Sequence, residues 1–157
     1  MTEAPRKQLD AIELLMQDHR ELESLFREFE YLHARDEDAR HVVDAACAEI
    51  RTHDTLKSEL FFPAVSEAVN EQDMEKLLAQ VEEGHQAIRE LVARVEQADD
   101  DQAKRDEQFR LLSERVEHQL ELAESQVFPR ARRATQLDLA LVSDRMKARR
   151  HEMAQQV

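Results

Sequence analysis

A single glycine in 157 residues is the feature that most restricts the fold of this chain. Tight turns between β-strands and the phosphate-binding loops of doubly wound α/β folds rely on glycine, because glycine adopts positive φ angles without strain. A chain with one glycine and three prolines is therefore poorly suited to both. Its abundant Ala, Leu, Glu, Arg and Gln all favour helix. We predict an all-α fold.

Apolar residues recur at helical spacing along almost the whole chain, which predicts long amphipathic helices. The predicted helices cover residues 10–33, 39–69, 73–97 and 101–133, with a short fifth helix over 137–154. Asp10 with Glu13 makes a capping pair at the start of the first helix. The run Asp99–Asp101 supplies a cap for the fourth helix, and Thr135 and Asp138 can cap the fifth. Short polar connections imply antiparallel neighbours. We expect an up-down-up-down four-helix bundle with a C-terminal fifth helix, in a single domain of residues 1–157.

The charge and cysteine content restrict the partners and the compartment. A net charge of −13 argues against nucleic acid, because most of the surface would repel a phosphate backbone. The single cysteine, Cys47, lies among alanines as a small buried residue would, and it cannot form an internal disulfide. No apolar run is long enough for a membrane span, and the polar N-terminus is unlike a signal peptide. We expect a cytoplasmic protein with no membrane contact.

The second and fourth predicted helices carry a weak internal repeat. In each, a histidine stands ten or eleven residues before a proline that follows a phenylalanine: His53 before Pro63, and His118 before Pro129. A proline within a helix removes a backbone donor, so a kink is expected at Pro63. The repeat indicates that the two helices are related halves of one site.

Four of the seven histidines fall on the apolar faces of the four long helices, one on each. They are His19, His53, His85 and His118. Mid-helix positions of an antiparallel bundle meet at one level, so these imidazoles are expected to converge. Burying them is unfavourable without partners, and neutral imidazole is a good ligand for Fe, Zn, Cu and Ni. His118 is the weakest of the four, because Arg115 shares its face. The remaining histidines, His33, His41 and His151, are predicted to lie on the surface.

At these positions the chain resembles the hemerythrin-like, HHE-type cation-binding proteins. The matching segments are Asp18–Leu22, Ile50–His53 with Glu59–Pro63, Glu83–His85 with Ile88 and Leu91, and Val116–His118 with Phe128–Arg132. The resemblance covers essentially the whole chain. It implies a four-helix bundle that holds two non-haem irons with histidines from all four helices. It also implies a role in binding or sensing dioxygen, nitric oxide or iron.

The carboxylate ligands that the resemblance implies are missing. One is expected four residues after the histidine of helix two, where this chain has Lys57. Another is expected four or five residues after the histidine of helix four, where Leu122 and Ala123 stand. Such carboxylates normally bridge the two metals. Glu23 and Glu121 lie within reach on their helix faces as possible substitutes.

Two further acidic residues follow the histidines by six positions. On an α-helix, this spacing turns Glu59 and Glu124 about 120° away from the histidines. They are predicted to lie on the surface or behind the ligands.

The missing carboxylates weigh against two irons. Without the bridges, and with Lys57 inside, the cage is neutral or positive, and two unit charges about 4 Å apart repel by about 4 kcal/mol even at an effective dielectric of 20. One ion on the four histidines, two ions with substitute ligands, and no metal all remain open.

Lys57 has two interpretations: its ammonium reaches solvent, or it sits among the imidazoles with a lowered pKa and stands in for a cation. Gly84, the only glycine, immediately precedes His85. It either has no role, or it permits a close backbone approach or a local bulge at this point.

Three functions are compatible with these residues. The first is a cation-binding module for oxygen, nitric oxide or iron sensing or storage, with at most one non-haem iron or similar ion and a small diatomic ligand. The second is a metal-free bundle that acts as a structural or regulatory interaction protein, with a protein partner that the sequence does not identify. The third is an enzyme that repairs iron centres or consumes peroxide or nitric oxide. The enzyme is least favoured, because redox chemistry at two irons requires the missing bridges.

Overall fold

The computed structural model describes residues 8–156, and within that range the chain is helical and contains no strand. The helices, in chain order, are α1 (Ala11–Ala34), α2 (Arg40–Leu56), α3 (Phe62–Ala68), α4 (Gln72–Gln97), α5 (Gln102–Leu122), α6 (Phe128–Arg133) and α7 (Leu139–Gln155). Two π-helical segments, Lys57–Phe61 and Ala123–Val127, join α2 to α3 and α5 to α6 without a break. The second and fourth predicted helices are therefore composite rods.

The four rods form a closed ring of neighbours. Helix α1 packs on α2, α2 on α4, α4 on α5, and α5 on α1, and short connections make successive rods antiparallel. Helix α7 lies against α1, α2 and the first π-helical segment. The predicted all-α bundle with a short C-terminal helix is confirmed. No helix in the described range is both long and apolar enough to cross a bilayer.

The predicted caps set where three helices begin. Asp10 and Glu13 form a reciprocal capping box, with backbone-to-carboxylate distances of 2.9 and 3.2 Å. Asp101 and Asp138 each accept a hydrogen bond from the backbone N–H three residues on, at 3.1 and 3.0 Å. Each carboxylate satisfies a backbone donor that the first helical turn leaves without a partner.

Both π-helical segments precede a Phe-Pro pair. The phenylalanine N–H donates to the carbonyl five residues back, at Lys57 in the first segment and Ala123 in the second. Pro63 and Pro129 then take the second position of α3 and α6, so the residue that cannot donate a backbone hydrogen bond lies next to each irregular segment. The disturbance expected at Pro63 is thus a π-helical segment, and the internal repeat of the sequence is a structural repeat. Lys57 and Ala123, where the resemblance implies carboxylates, each open one of the two segments.

The apolar core has two parts with polar side chains between them. One cluster contains Leu22, Ile50, Ile88 and Val116, and the other contains Leu15, Leu56, Val81 and Ala123. On every rod, one residue of each cluster flanks a polar position. We call this level the polar layer; it holds His19, His53, Lys57, His85 and Gln119. Cys47 is buried in the first cluster as predicted, and burial raises the pKa of its thiol to about 12.

Candidate functional site

Three of the four predicted histidines meet in the polar layer. His19, His53 and His85 are buried, with His19 fully inaccessible. Nε2 of His19 lies 3.1 Å from Nε2 of His53, and the two rings meet edge to face. The side chains come from α1, α2 and α4, as the mid-helix argument predicts.

Lys57 is inside this layer and does not reach solvent. Its side chain is 1% exposed, and its Nζ lies 3.1 Å from Nε2 of His19. Of the two interpretations that the sequence left open for Lys57, the buried one is correct. Ala123, the other position where a carboxylate is implied, is also buried.

His118 is not part of the cluster, and its predicted inward position is wrong. It is exposed and lines a surface groove between α4 and α5, beside Arg94 and Arg115. The inward face of α5 is set by Val116 and Leu120, which are both buried. Residue 118 is two positions from each, or about 200° of helix rotation, so its side chain must point outward.

Gln119 is the α5 residue that faces the cluster. With His53, Lys57 and His85 it lines a buried cavity of about 20 Å³, enough for about one water molecule. Oε1 of Gln119 is buried and has no hydrogen-bond partner in the described structure. The amide therefore takes the place that sequence analysis assigned to an imidazole.

A signal for Gln119 is present in the sequence. His53 stands ten residues before Pro63, and the residue ten before Pro129 is Gln119. Counting back from the proline finds the correct register on α5. Choosing the nearest histidine, His118, misses it by one residue.

The only glycine makes room for this amide. A Cβ at Gly84 would lie 1.8 Å from Nε2 and 2.4 Å from Cδ of Gln119. The close approach that the sequence left open is thus real, but the group that approaches the α4 backbone is a side chain of α5. Helix α4 continues through Gly84 without a bulge.

Each buried imidazole has a carboxylate beside its Nδ1 atom. The pairs are His19 with Glu124 at 3.4 Å, His53 with Asp18 at 3.5 Å, and His85 with Asp54 at 3.2 Å. None of the three contacts is aligned as a hydrogen bond, and the Nδ1 atoms have no other partner in the described structure. The carboxylates still act on the layer electrostatically, because charge interactions depend on distance more than on alignment.

Arginines bind the same carboxylates from outside. Asp54 accepts from Arg89 at 2.8 and 3.0 Å, Asp18 accepts from Arg150 at 2.5 Å, and Glu124 pairs with Arg20. Burial raises the pKa of Asp54, but the interactions of its carboxylate with His85 and with Arg89 outweigh burial and lower it to about 2. The site is thus ordered by charge, with an amine in the middle, carboxylates around it and guanidinium groups outermost.

Glu59 and Glu124, which follow His53 and His118 by six residues, lie in different surroundings. Glu59 is about half exposed and pairs with Arg149 on the surface, as predicted. Glu124 lies behind His19, the second of the two predicted positions. The two glutamates differ because they are not equivalent positions: Glu59 stands four residues before Pro63, whereas Glu124 stands five before Pro129.

Burial sets the protonation of the inner groups. It lowers the pKa of Lys57 to about 7, against the opposing charges of Asp18, Glu124 and Asp54. Burial, followed by the positive charge of Lys57, holds the pKa of both His19 and His53 well below the ordinary range. The two imidazoles are therefore neutral, and Lys57 gains or loses its proton near neutral pH.

A comparison with protein families identifies the fold. Residues 10–131 match the hemerythrin HHE cation binding domain. The chain belongs to this family. The match leaves α7 outside the family domain. No curated protein and no solved structure matches the chain.

Membership of the hemerythrin HHE family supports a metal-binding module, so the donors of this member can be compared with a metal's needs. Two imidazole nitrogens, His19 Nε2 and His53 Nε2, converge at a distance suited to one ion. The substitutes expected from the sequence do not join them, because Glu121 is exposed and Glu23 pairs with Arg20. No carboxylate bridges the inner groups.

Lys57 occupies the position that an ion would need. The Nζ atom of Lys57 lies on the lone-pair side of the His19 ring. A divalent ion about 4 Å from an ammonium would be repelled by about 8 kcal/mol at an effective dielectric of 20. The polar layer of this family member therefore does not fit a pair of irons.

A second group of possible ligands lies beside the polar layer. Ligand atoms of Asp18, Glu21 and Glu49 lie within 4.8 Å of one another. Arg150 binds two of these carboxylates, Asp18 at 2.5 Å and Glu49 at 3.3 Å. The guanidinium therefore supplies a counter-charge within the chain. The sequence alone does not indicate this group, because its members come from two helices, α1 and α2. The three other histidines, His33, His41 and His151, are exposed as predicted.

Proposed function

We propose that this hemerythrin-family protein keeps the family's bundle, replaces the iron pair with its own cation, the Lys57 ammonium, and acts as a metal-independent regulatory or structural module. The observation that carries the proposal is the contact between Lys57 Nζ and His19 Nε2, 3.1 Å apart in a layer closed to solvent. This position inside a cation-binding fold is occupied by a positive group that the chain supplies.

The hydrogen-bonding roles of the inner groups support an ammonium. The carboxylate of Glu124 beside Nδ1 of His19 favours the tautomer that carries its proton there, which leaves the Nε2 lone pair facing Lys57. Nε2 of His19 then accepts from Lys57. The same orientation of an imidazole by a carboxylate is used in metal sites, so the lysine makes use of an arrangement suited to a cation.

A bundle that carries its own cation can fold without taking up metal. Members that depend on a bound ion gain folding free energy from it, and they lose that free energy to a chelator. Here the polar layer gains no folding free energy from a metal ion. The stability of the bundle therefore depends on protonation and on contacts at its surface. This favours the regulatory or structural role over the sensing, storage and enzymatic roles that need iron.

Metal analysis tests the proposal directly. Protein made without a His tag in iron-supplemented medium is expected to hold less than about 0.2 ions of iron, zinc or manganese per chain, and a chelator is expected to leave its melting temperature unchanged. One or more ions per chain, released by the chelator with a fall in melting temperature, would contradict the proposal.

A gain-of-function variant tests the assignment of the positions. Lys57→Glu, Ala123→Glu and Gln119→His together supply the two carboxylates and the fourth imidazole, and are expected to produce binding of two irons per chain. The matched control is Lys57→Met, Ala123→Leu and Gln119→His, which adds the imidazole and apolar volume without the carboxylates. Circular dichroism verifies that both variants are folded. A folded but iron-free first variant would show that the wrong positions were assigned.

A further inference from the structure

Helix α7 lies outside the family domain, yet it contributes a side chain to the surroundings of the polar layer. Arg150 Nη2 donates to Oδ2 of Asp18 at 2.5 Å. The same Oδ2 atom lies 3.5 Å from Nδ1 of His53. One carboxylate thus stands between the C-terminal helix and the cluster that holds Lys57.

Asp18 is shared by two cations. Its side chain is 9% exposed, so its charge is poorly screened by solvent. Burial raises the pKa of Asp18, and the charges of Arg150 and then Lys57 act against burial. Arg150 and Lys57 are both positively charged and repel each other. The charge of each therefore makes the binding of the other near Asp18 less favourable.

Besides Arg150, α7 is held by the surface pair of Arg149 with Glu59 and by a small buried face. Val142, Ser143 and Met146 are its buried residues, and Ser143 Oγ donates to the carbonyl of Leu9 at 2.8 Å. A cavity of about 210 Å³ remains between α1 and α7, beside Asp18 and Met146. A helix with a small apolar contact and a cavity beneath it depends strongly on its polar anchor.

We infer that the docking of α7 is coupled to the positive charge of Lys57 through Asp18, so that this charge loosens α7 and its removal by substitution tightens it. This inference rests on the proposed function, because it requires the lysine and not a metal ion as the cation of the polar layer. The other groups that face Lys57 are His19 on α1, His53 and Asp54 on α2, His85 on α4, and Glu124 on the second π-helical segment. Asp18, whose charge also acts on Lys57, pairs with Arg150 of α7.

A double-mutant cycle measures the coupling. Hydrogen exchange of residues 139–155 is followed in the wild type, Lys57→Met, Arg150→Gln and the double variant. We expect Lys57→Met to slow exchange of α7 about threefold or more when Arg150 is present, and to have no effect when it is absent.

The chain offers a matched control on the next residue. Arg149→Gln removes the pair with Glu59, which anchors α7 at the surface without contacting Asp18. In the Arg149→Gln background, the full effect of Lys57→Met is expected to remain. If Arg150→Gln releases α7 completely, Arg150→Lys is measured as well, and the effect of Lys57→Met is expected to persist there because the charge is kept.

An equal effect of Lys57→Met with and without Arg150 would overturn the coupling, as would faster exchange of α7 in Lys57→Met. Iron content is measured on the same samples. Bound iron would overturn the proposed function, whereas an additive cycle in iron-free protein would overturn only the coupling.

Discussion

Lys57 changes the chemistry of the polar layer more than any other residue. The resemblance implies a carboxylate at this position, and the chain has an amine that burial holds near the midpoint of its titration at neutral pH. An anion there would bring cations together, whereas an ammonium repels them. The charge of this residue therefore decides which occupant the layer accepts.

Replacing Lys57 with Met is expected to stabilise the fold. A pKa that falls from 10.5 to about 7 corresponds to about 5 kcal/mol against the buried ammonium. Replacing Lys57 also removes its contact with His19, which offsets part of this gain. At pH 6 we therefore expect the free energy of unfolding, measured with urea, to rise by about 2–4 kcal/mol. Lys76→Met, at an exposed lysine, is the control and should have little effect. A decrease in Lys57→Met would mean that the ammonium stabilises the layer overall.

Gly84 and Gln119 are expected to behave as a coupled pair. Alanine in a helix interior is more stable than glycine by about 1 kcal/mol. In the wild type a Cβ at residue 84 would displace the Gln119 amide from the polar layer, so Gly84→Ala loses that gain or destabilises the fold. In a Gln119→Ala background the clash is absent, and Gly84→Ala should stabilise by about 1 kcal/mol. Equal effects in both backgrounds, measured by thermal or urea unfolding, would contradict the contact.

At the scale of elements, the π-helical segments explain why the two composite rods differ from uninterrupted α-helices. Each gives one extra residue to a turn, which changes the rotation of everything beyond it. Glu124, behind His19, lies in the second segment, and Lys57 opens the first. Pro63 and Pro129 are tolerated because each lies just beyond its segment.

Arg150 is the polar anchor of α7, and its removal should destabilise this element. Arg150→Gln leaves Asp18 and Glu49 without their charged donor, and Asp18 is almost fully buried. We expect a loss of about 1.5–3 kcal/mol in the free energy of unfolding. Arg149→Gln, which breaks an exposed pair, should cost much less. Similar losses in the two variants, measured in parallel urea titrations, would show that burial of Asp18 does not matter.

At the scale of the whole molecule, a polar layer divides the apolar core into two clusters and makes stability depend on pH. Three groups of this layer, His19, His53 and Lys57, bind protons less readily in the fold than in the unfolded chain. Such a layer contributes little stability of its own. It gives the bundle a place where charge controls structure.

Stability is expected to rise with pH from about 5 to 9. His19 and His53 have lowered pKa values in the fold, so the unfolded chain binds more protons below about pH 6.5 and stability falls there. Lys57 titrates near 7 in the fold and near 10.5 when unfolded, so stability rises as the pH increases through this interval. Urea titrations from pH 5 to 9 measure the slope. Lys57→Met should lose the rise above pH 7 and keep the fall below 6.5. A flat profile above pH 7 in the wild type would contradict a buried, titrating lysine.

Much of the fold and part of the site could be predicted from residues alone. The spacing of apolar residues sets helix periodicity, and caps such as Asp10 act within a few residues, so both are local properties. His19, His53 and His85 were found in the same way. The inward position predicted for His118 was wrong because a one-residue error turns a side chain by about 100°. Several polar residues in this part of α5 also obscure its inward face.

The sequence by itself determined the all-α fold, the bundle and the caps, because these follow from helix geometry and the burial of apolar faces. Only the tertiary structure decided that Lys57 contacts His19, that Gln119 fits against Gly84, and that Arg150 reaches Asp18. Each of these contacts joins residues far apart in the chain, and their distances depend on how helices pack. The single glycine belongs to both levels: its rarity predicted the helices, and the amide that crosses from α5 gives it a reason to stand beside His85.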